Sequence, residues 1–254
     1  LDHDAYDRWL SIEDEALTDD GAWVLYRLTP RTGDATLVVT RPGGPEHRVE
    51  RVTRAAFAPT SRHVVFTIAP ADDSIRALKR AETKKEGLPP DTLGLLSLET
   101  GDVTRVPGVR AWSIPEEAGD VVVYLVDGEE EAETETEPGP AEEQGATGER
   151  AEEDPPEART MIVRSLGTGL ERQVAAVTEH VLSADGSLVV YATRGADTAR
   201  DGVRVLETVT GDSAVIATGP GRYRRLALSE DGRQAAFLTD RDDTAAEHPA
   251  FSLY

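Results

Sequence analysis

The sequence predicts an all-β protein, a β-propeller of four-stranded antiparallel blades, and three observations predict it. One ten-residue phrase recurs: "LTDDGAWVLY" at 17–26, "LSADGSLVVY" at 182–191 and "LSEDGRQAAF" at 228–237. Each of the first two is followed by another strand–turn–strand pattern. The aromatics that close the phrases, with two looser copies included, stand at 26, 66, 124, 191 and 237, at intervals of 40, 58, 67 and 46. That spacing sits near the propeller-blade period once insertions are allowed.

Each phrase holds a short apolar run, an Asp-Gly turn and a second apolar run. Asp-Gly suits a tight hairpin turn, because glycine accepts positive φ without a Cβ clash. The runs Val24, Leu25, Tyr26 and Val189, Val190, Tyr191 have no polar alternation, which suits strands covered on both faces. "FAPTSRHVVF" at 57–66 is a weaker copy with Ser61 in place of the glycine. In "AWSIPEEAGDVVVY" at 111–124, Gly119 again precedes the closing aromatic by five residues.

The second hairpins are "TLVVTRPGGPEHRV", "LGLLSLETGDVTRV", "MIVRSLGTGLERQV" and "VRVLETVTGDSAVI". Two hairpins make one four-stranded sheet, which cannot bury both faces alone and therefore stacks around an axis with its neighbours. A plain β-sandwich would have no reason to repeat the whole two-hairpin unit. The expected blades run roughly over 12–53, 54–109, 110–177, 178–219 and 220–254. The fifth has a first hairpin and then "HPAFSLY", the beginning of a third strand, so about four and a half blades are present. An open ring would leave long unpaired edges, and the expectation is that this is the front part of a longer polypeptide.

Composition sets the outer limits. The chain has 254 residues, 39% hydrophobic and only 5% aromatic, so its core rests on Val, Leu, Ala and Ile. There is no cysteine, hence no disulfide and no thiolate metal site, and no apolar run reaches the roughly 18 residues of a membrane helix. The chain opens on Leu1 and has a single methionine, Met161, which reads as a processed or trimmed product and points to export with a signal peptide removed. Net charge is −21, but residues 127–159 hold fourteen Asp/Glu against two Arg. Nucleic acid is excluded as a partner, since phosphate binding needs a basic face. The segment 127–159 is low-complexity and Pro/Gly-rich, and is expected to be a disordered insertion within the third blade.

The opening "YDRWLSIEDEALTDDGAWVLYRLTPRTGDATLVV" and the later "KRAETKKEGLPPDTLGLLSLETGDVTRV" resemble the propeller of bacterial prolyl-oligopeptidase-type serine peptidases, of the dipeptidyl-peptidase and acylaminoacyl-peptidase kind. The resemblance covers most of 6–254 apart from the acidic insertion. It implies a propeller of seven or eight blades over a C-terminal α/β-hydrolase domain that carries the Ser, Asp and His. The propeller then restricts which peptides reach them. No G-x-S-x-G occurs in this chain, and the nearest fragment, "GDSAV" at 211–215, lacks the second glycine and sits in a predicted hairpin. No catalytic residue is therefore carried over, and the chain by itself is expected to be inactive.

Other candidates have simpler readings. His3, His47, His63, His180 and His248 are scattered without metal-ligand spacing and read as surface or turn residues. Asp19, Asp20, Asp185 and Asp231 could be imagined as calcium ligands, but their Asp-Gly context makes them turn formers. "IRALKRAETKKEG" at 75–87 reads as a short helix in an extended hairpin, with a docking role as its functional alternative. No catalytic, cofactor or metal site is expected. The leading function is thus a non-catalytic propeller that gates or orients peptides for a hydrolase domain. The alternative is a TolB-like binding module recognising a protein or cell-envelope partner, with no hydrolase.

Overall fold

The computed structural model describes residues 9–71, 74–77, 89–127, 157–195, 198–244 and 249–254. The predicted insertion beyond Asp127, most of 75–87, His3 and His248 lie outside them. Among the described residues seventeen strands form three antiparallel sheets, each in sequential order. The first contains β1 (Leu10–Leu17), β2 (Val24–Pro30), β3 (Thr36–Thr40) and β4 (Glu46–Glu50). The second, of ten strands, runs from β5 (Val52–Phe57), β6 (His63–Ile68), β7 (Asp91–Ser97) and β8 (Val103–Ser113) to β9 (Val121–Asp127) and β10 (Arg159–Ser165). It continues through β11 (Glu171–Leu182), β12 (Leu188–Thr193), β13 (Gly202–Glu207) and β14 (Ser213–Thr218). The third contains β15 (Tyr223–Leu228), β16 (Ala235–Thr239) and β17 (Ser252–Leu253), the last being the strand begun by "HPAFSLY".

The ten-stranded sheet is three four-stranded units joined by two long strands. β8 pairs with β7 up to Val109 and with β9 from Val109 onward. In the same way β11 changes partner from β10 to β12 at Val177. Beside each change lies a positive-φ residue, Gly108 (φ 79) and Ala176 (φ 59), and Arg51 (φ 65) holds the same place between β4 and β5. The left-handed residue turns the chain out of one sheet and into the next. At two of these sites the carbonyl is capped from the neighbouring unit, Arg51 O by the Ala69 N–H and Ala176 O by the Arg194 N–H, each at 2.8 Å.

The repeated phrases occupy equivalent positions. Leu17 opposes Val24, Phe57 opposes Val64, Leu182 opposes Val189 and Leu228 opposes Ala235, all closing the first hairpin of a unit. Tyr26, Phe66, Tyr124, Tyr191 and Phe237 all lie in the second strand of their unit.

Strand alternation then builds four apolar layers between successive units. Leu25, Leu37 and Val39 meet Val64, Phe66 and Leu96 in the first. Val65, Leu93 and Leu95 meet Val122, Tyr124 and Ile162 in the second. Val123, Met161 and Val163 meet Val189, Tyr191 and Leu206 in the third, and Val190, Ala192 and Val203 meet Tyr223 and Phe237 in the fourth. Consecutive residues of β6, β9 and β12 thus serve opposite layers, which is why those strands are apolar throughout. Each such side chain contributes about 1.5–3 kcal/mol when fully buried, so the layers dominate the stabilisation. Among the described residues no helix is long and apolar enough to cross a membrane.

Candidate functional site at the loop edge and inner strands

Antiparallel order sends alternate connections to opposite edges of each unit. Short turns such as 18–23, 98–102, 183–187 and 229–234 share one edge. The unit-to-unit crossovers share the other with the connections 31–35, 69–90, 128–158, 194–201 and 240–251. The long insertions of the chain therefore all emerge from one side.

The turn edge is structural. Thr18 Oγ1 donates to Asp20 Oδ1 (2.6 Å) and accepts from the Trp23 N–H (3.0 Å), while Asp20 Oδ1 accepts from the Ala22 N–H (2.9 Å). Ser183 and Asp185 repeat this clasp, with the Leu188 and Ser187 N–H groups as donors, and so do Ser229 and Asp231 with Gln234 and Arg233. These bonds hold Asp20, Asp185 and Asp231 below the usual carboxylate range, the serine or threonine hydroxyl being the largest cause. The loop is longer than the two-residue hairpin that Asp-Gly favours: Thr18 N–H pairs with Trp23 O, leaving four residues between them. The hydroxyl and carboxylate bonds stabilise that longer loop. "FAPTSRHVVF" keeps the backbone path, with Ser61 at φ 55, but Ala58 supplies no hydroxyl. Asp19 takes no part in the clasp, and among the described residues no group of three or more His, Asp or Glu side chains could hold a metal ion.

At the loop edge, carboxylates close the base of three of the connections between second and third strands. Asp127 accepts from Arg110 Nε (2.8 Å) and Nη2 (2.6 Å) and pairs in register with Arg159, at the base of the acidic insertion. Buried Asp201 accepts from the Gly195 N–H (2.8 Å). Buried Asp240 accepts from the Arg222 N–H (2.6 Å) and Nε (2.7 Å). A cleft of about 330 Å³ opens beside Asp201, with Tyr191 and Arg204 in its wall. A smaller one of about 180 Å³ lies beside Trp112, Arg54 and Asp91.

The first strands of successive units are tied to one another by polar contacts. The Arg54 guanidinium lies 3.9 Å over the Trp112 ring and donates to Trp112 O (3.2 Å). Ser113 Oγ and His180 Nε2 are 3.1 Å apart. Glu179 accepts from the Arg225 and Leu226 N–H groups (2.7 and 2.8 Å), where Arg225 has φ 54. None of these partners is adjacent in sequence, and the sequence carries no pattern that would have paired them.

The described histidines stand in strands rather than turns. His47 lies in β4, His63 in β6 and His180 in β11. Burial pushes His63 and His180 below the ordinary imidazole pKa, with Asp120, 3.7 Å from His63, pulling His63 back up. Ser113 and His180 form a hydroxyl–imidazole pair, yet no carboxylate among the described residues is hydrogen-bonded to His180. Hydrolysis by such a pair also needs an oriented base and donors for the oxyanion. Ser213 of "GDSAV" opens β14, so that fragment belongs to a hairpin, not to a strand-to-helix elbow.

No known family profile matches the sequence, and no curated protein does. Solved structures do resemble it. A prolyl endopeptidase matches 93% of this chain with 33% of its own, at 14% identity and a TM-score of 0.50. The fold is a β-propeller. The propeller domain of the trilobed protease from Pyrococcus furiosus matches 97% of this chain and 69% of its own at 12% identity, with a TM-score of 0.47. TolB from Acinetobacter baumannii matches 95% of this chain and 56% of its own at 13% identity, with a TM-score of 0.38. This propeller thus spans about one third of the length of the prolyl endopeptidase. Its units are blades, its first strands are the inner strands of those blades, and its crossovers carry the chain from one blade's outer strand to the next blade's inner one.

Proposed function

We propose that this propeller is the non-catalytic part of a prolyl-oligopeptidase-type serine peptidase, which restricts and orients peptides for an α/β-hydrolase domain. The observation that carries this reading is the likeness to a prolyl endopeptidase, which takes in 93% of this chain but only 33% of the other. The sequence resemblance of 6–39 and 79–106 to the same family supports it independently. The chemistry would be acyl transfer from peptide to a serine held on the other domain, with the triad's base and acid beside it. The propeller's contribution is steric and electrostatic. Rigid blades fix the aperture, and the loop edge, with its long insertions, is the side suited to contact with another domain.

Reading the encoding gene beyond codon 254 tests the proposal. A downstream segment coding for G-x-S-x-G on a strand-to-helix turn supports it. A stop codon without such a segment, together with failure of the purified propeller to retain any phosphonate-labelled serine hydrolase from its own cell extract, would overturn it and favour a binding module.

A further inference from the structure

Three tyrosines of the described residues are buried: Tyr124, Tyr191 and Tyr223. Two have hydroxyl partners, Tyr124 donating to Glu171 Oε1 (2.9 Å) and Tyr223 to Gly219 O (3.0 Å). Tyr191 is only 4% exposed, and its hydroxyl has no hydrogen-bond partner among the described residues. The hydroxyl is not among the sealed-off polar atoms of the fold and is therefore open to water or to a ligand. It lines the cleft of about 330 Å³ at the junction of the third and fourth blades.

Directly across the β12–β13 ladder from Tyr191 stands Arg204, which lines the same cleft. Two neutral oxygens position its guanidinium, Thr193 Oγ1 at 2.7 Å from Nη1 and Arg200 O at 2.9 Å from Nη2. No carboxylate among the described residues forms an ion pair with it. Asp201 also borders the cleft, but its carboxylate is buried and accepts from the Gly195 N–H. Thr193, Gly195 and Arg200 complete the polar part of the wall, and Val174, Ala175 and Ala176 form its apolar part. A fixed guanidinium with spare donors, a free hydroxyl and an apolar shelf form a receptor for a carboxylate on an apolar stem.

We propose that this cleft binds a carboxylate, held by the Arg204 guanidinium and the Tyr191 hydroxyl, with the ligand's apolar part on Val174–Ala176. A peptide's free C-terminus and an acidic side chain both offer such a carboxylate, and the titration below separates the two. The third blade shows the same chemistry satisfied from within: Tyr124 and Arg164 both donate to Glu171. Burial raises the Tyr191 hydroxyl pKa while the Arg204 charge opposes the rise, so the group stays a neutral donor. At physiological salt the Debye length is about 8 Å, which screens the chain's remote negative charge. The site stands on its own geometry and does not depend on the presence of a hydrolase domain.

Titration of the 254-residue chain with acetyl-Ala-Leu as free acid, followed by tyrosine ring NMR with Tyr191→Phe as the assignment, tests this. Saturable binding is expected at roughly millimolar concentration, and the C-terminal amide of the same dipeptide should not bind. Arg204→Gln should weaken binding by at least about tenfold, and Arg204→Lys by less, since Lys keeps the charge but loses the planar fork. Thermal melts of both variants report whether the blade is intact. If acetyl-Glu-amide binds in place of the free acid, the carboxylate comes from an acidic side chain. Equal binding of acid and amide, no saturable shift, or unchanged binding by folded Arg204→Gln would overturn the carboxylate site.

Discussion

Gly94 lies directly opposite Phe66 in the β6–β7 ladder, and the phenyl ring occupies the space above it: a Cβ on Gly94 would stand 2.1 Å from Phe66 Cε2. Phe66 is fully buried between the first two blades. Glycine in a strand interior costs stability by itself, and here it makes room for the largest fully buried side chain of its layer. Gly94→Ala should lower stability by roughly 1–3 kcal/mol through overpacking. Adding Phe66→Leu should return part of the loss, because the two sites share one space. Thermal denaturation of the three variants checks this, and an unchanged Tm for Gly94→Ala would show that the ring is not seated there.

The Asp185 clasp predicts an acid-sensitive component of stability. Its carboxyl is held low by the Ser183 hydroxyl, then by Ser187, and Asp20 and Asp231 are lowered in the same way. A depressed carboxyl pKa stabilises the fold above the unfolded value of about 3.9, and the contribution is lost as pH falls through the lower folded values. Urea midpoints should therefore drop from about pH 5 to about pH 3. Asp185→Asn should show a shallower drop and, because solvent screens the exposed carboxylate, a loss of at most about 1 kcal/mol at neutral pH. An identical pH slope for the variant would contradict the assignment.

Burial of His63 and His180 in neutral form has the same sign at higher pH. Both are pushed below the ordinary value of 6.5, by burial above all. Their contribution is present above about pH 6.5 and lost as pH falls through the folded values, because the unfolded chain then binds more protons. Around His63 the facing charges are Asp120 and Arg62, which act in opposite directions. The double variant His63→Gln/His180→Gln should flatten the stability profile between about pH 7.5 and about pH 5.5. A profile that keeps its slope would assign the dependence elsewhere.

Glu179 should govern the inner strand of the fifth blade. Its carboxylate receives the N–H groups of Arg225 and Leu226, where a bulge interrupts the β15–β16 ladder. Glu179→Ala leaves two donors without that partner, and hydrogen bonds to a charged group are worth about 1.5–3 kcal/mol. Amide exchange at positions 225 and 226 should accelerate by about tenfold or more in the variant, with the second blade unaffected. Uniform protection in both proteins would show that the tie does not hold β15.

The Ser113–His180 pair is expected to be chemically silent. The purified chain should turn over neither prolyl nor aminoacyl chromogenic peptides, and a serine-reactive phosphonate should label nothing. Labelling of Ser113, with turnover abolished by the probe, would make the pair a catalytic centre.

The sequence by itself determined the repeat, the antiparallel hairpins and the layers between blades. "HVVFTI" and "VVVYLVD" are apolar at successive positions, and only a strand buried on both faces asks for that. Turn chemistry was equally local, since Ser183, Asp185 and Gly186 act on amides within five residues of Ser183. Tertiary structure alone decided what lies between blades. Ser113 meets His180 across 67 residues and Glu179 reaches Arg225 across 46, through bulges and positive-φ residues whose positions no composition rule gives. Tyr191 reads in sequence as one more closing aromatic. Only the folded blade sets its hydroxyl beside Arg204 in an open cleft, without a hydrogen-bond partner among the described residues. Strand pairing follows from neighbours in the chain, whereas a site between blades follows from how finished sheets meet.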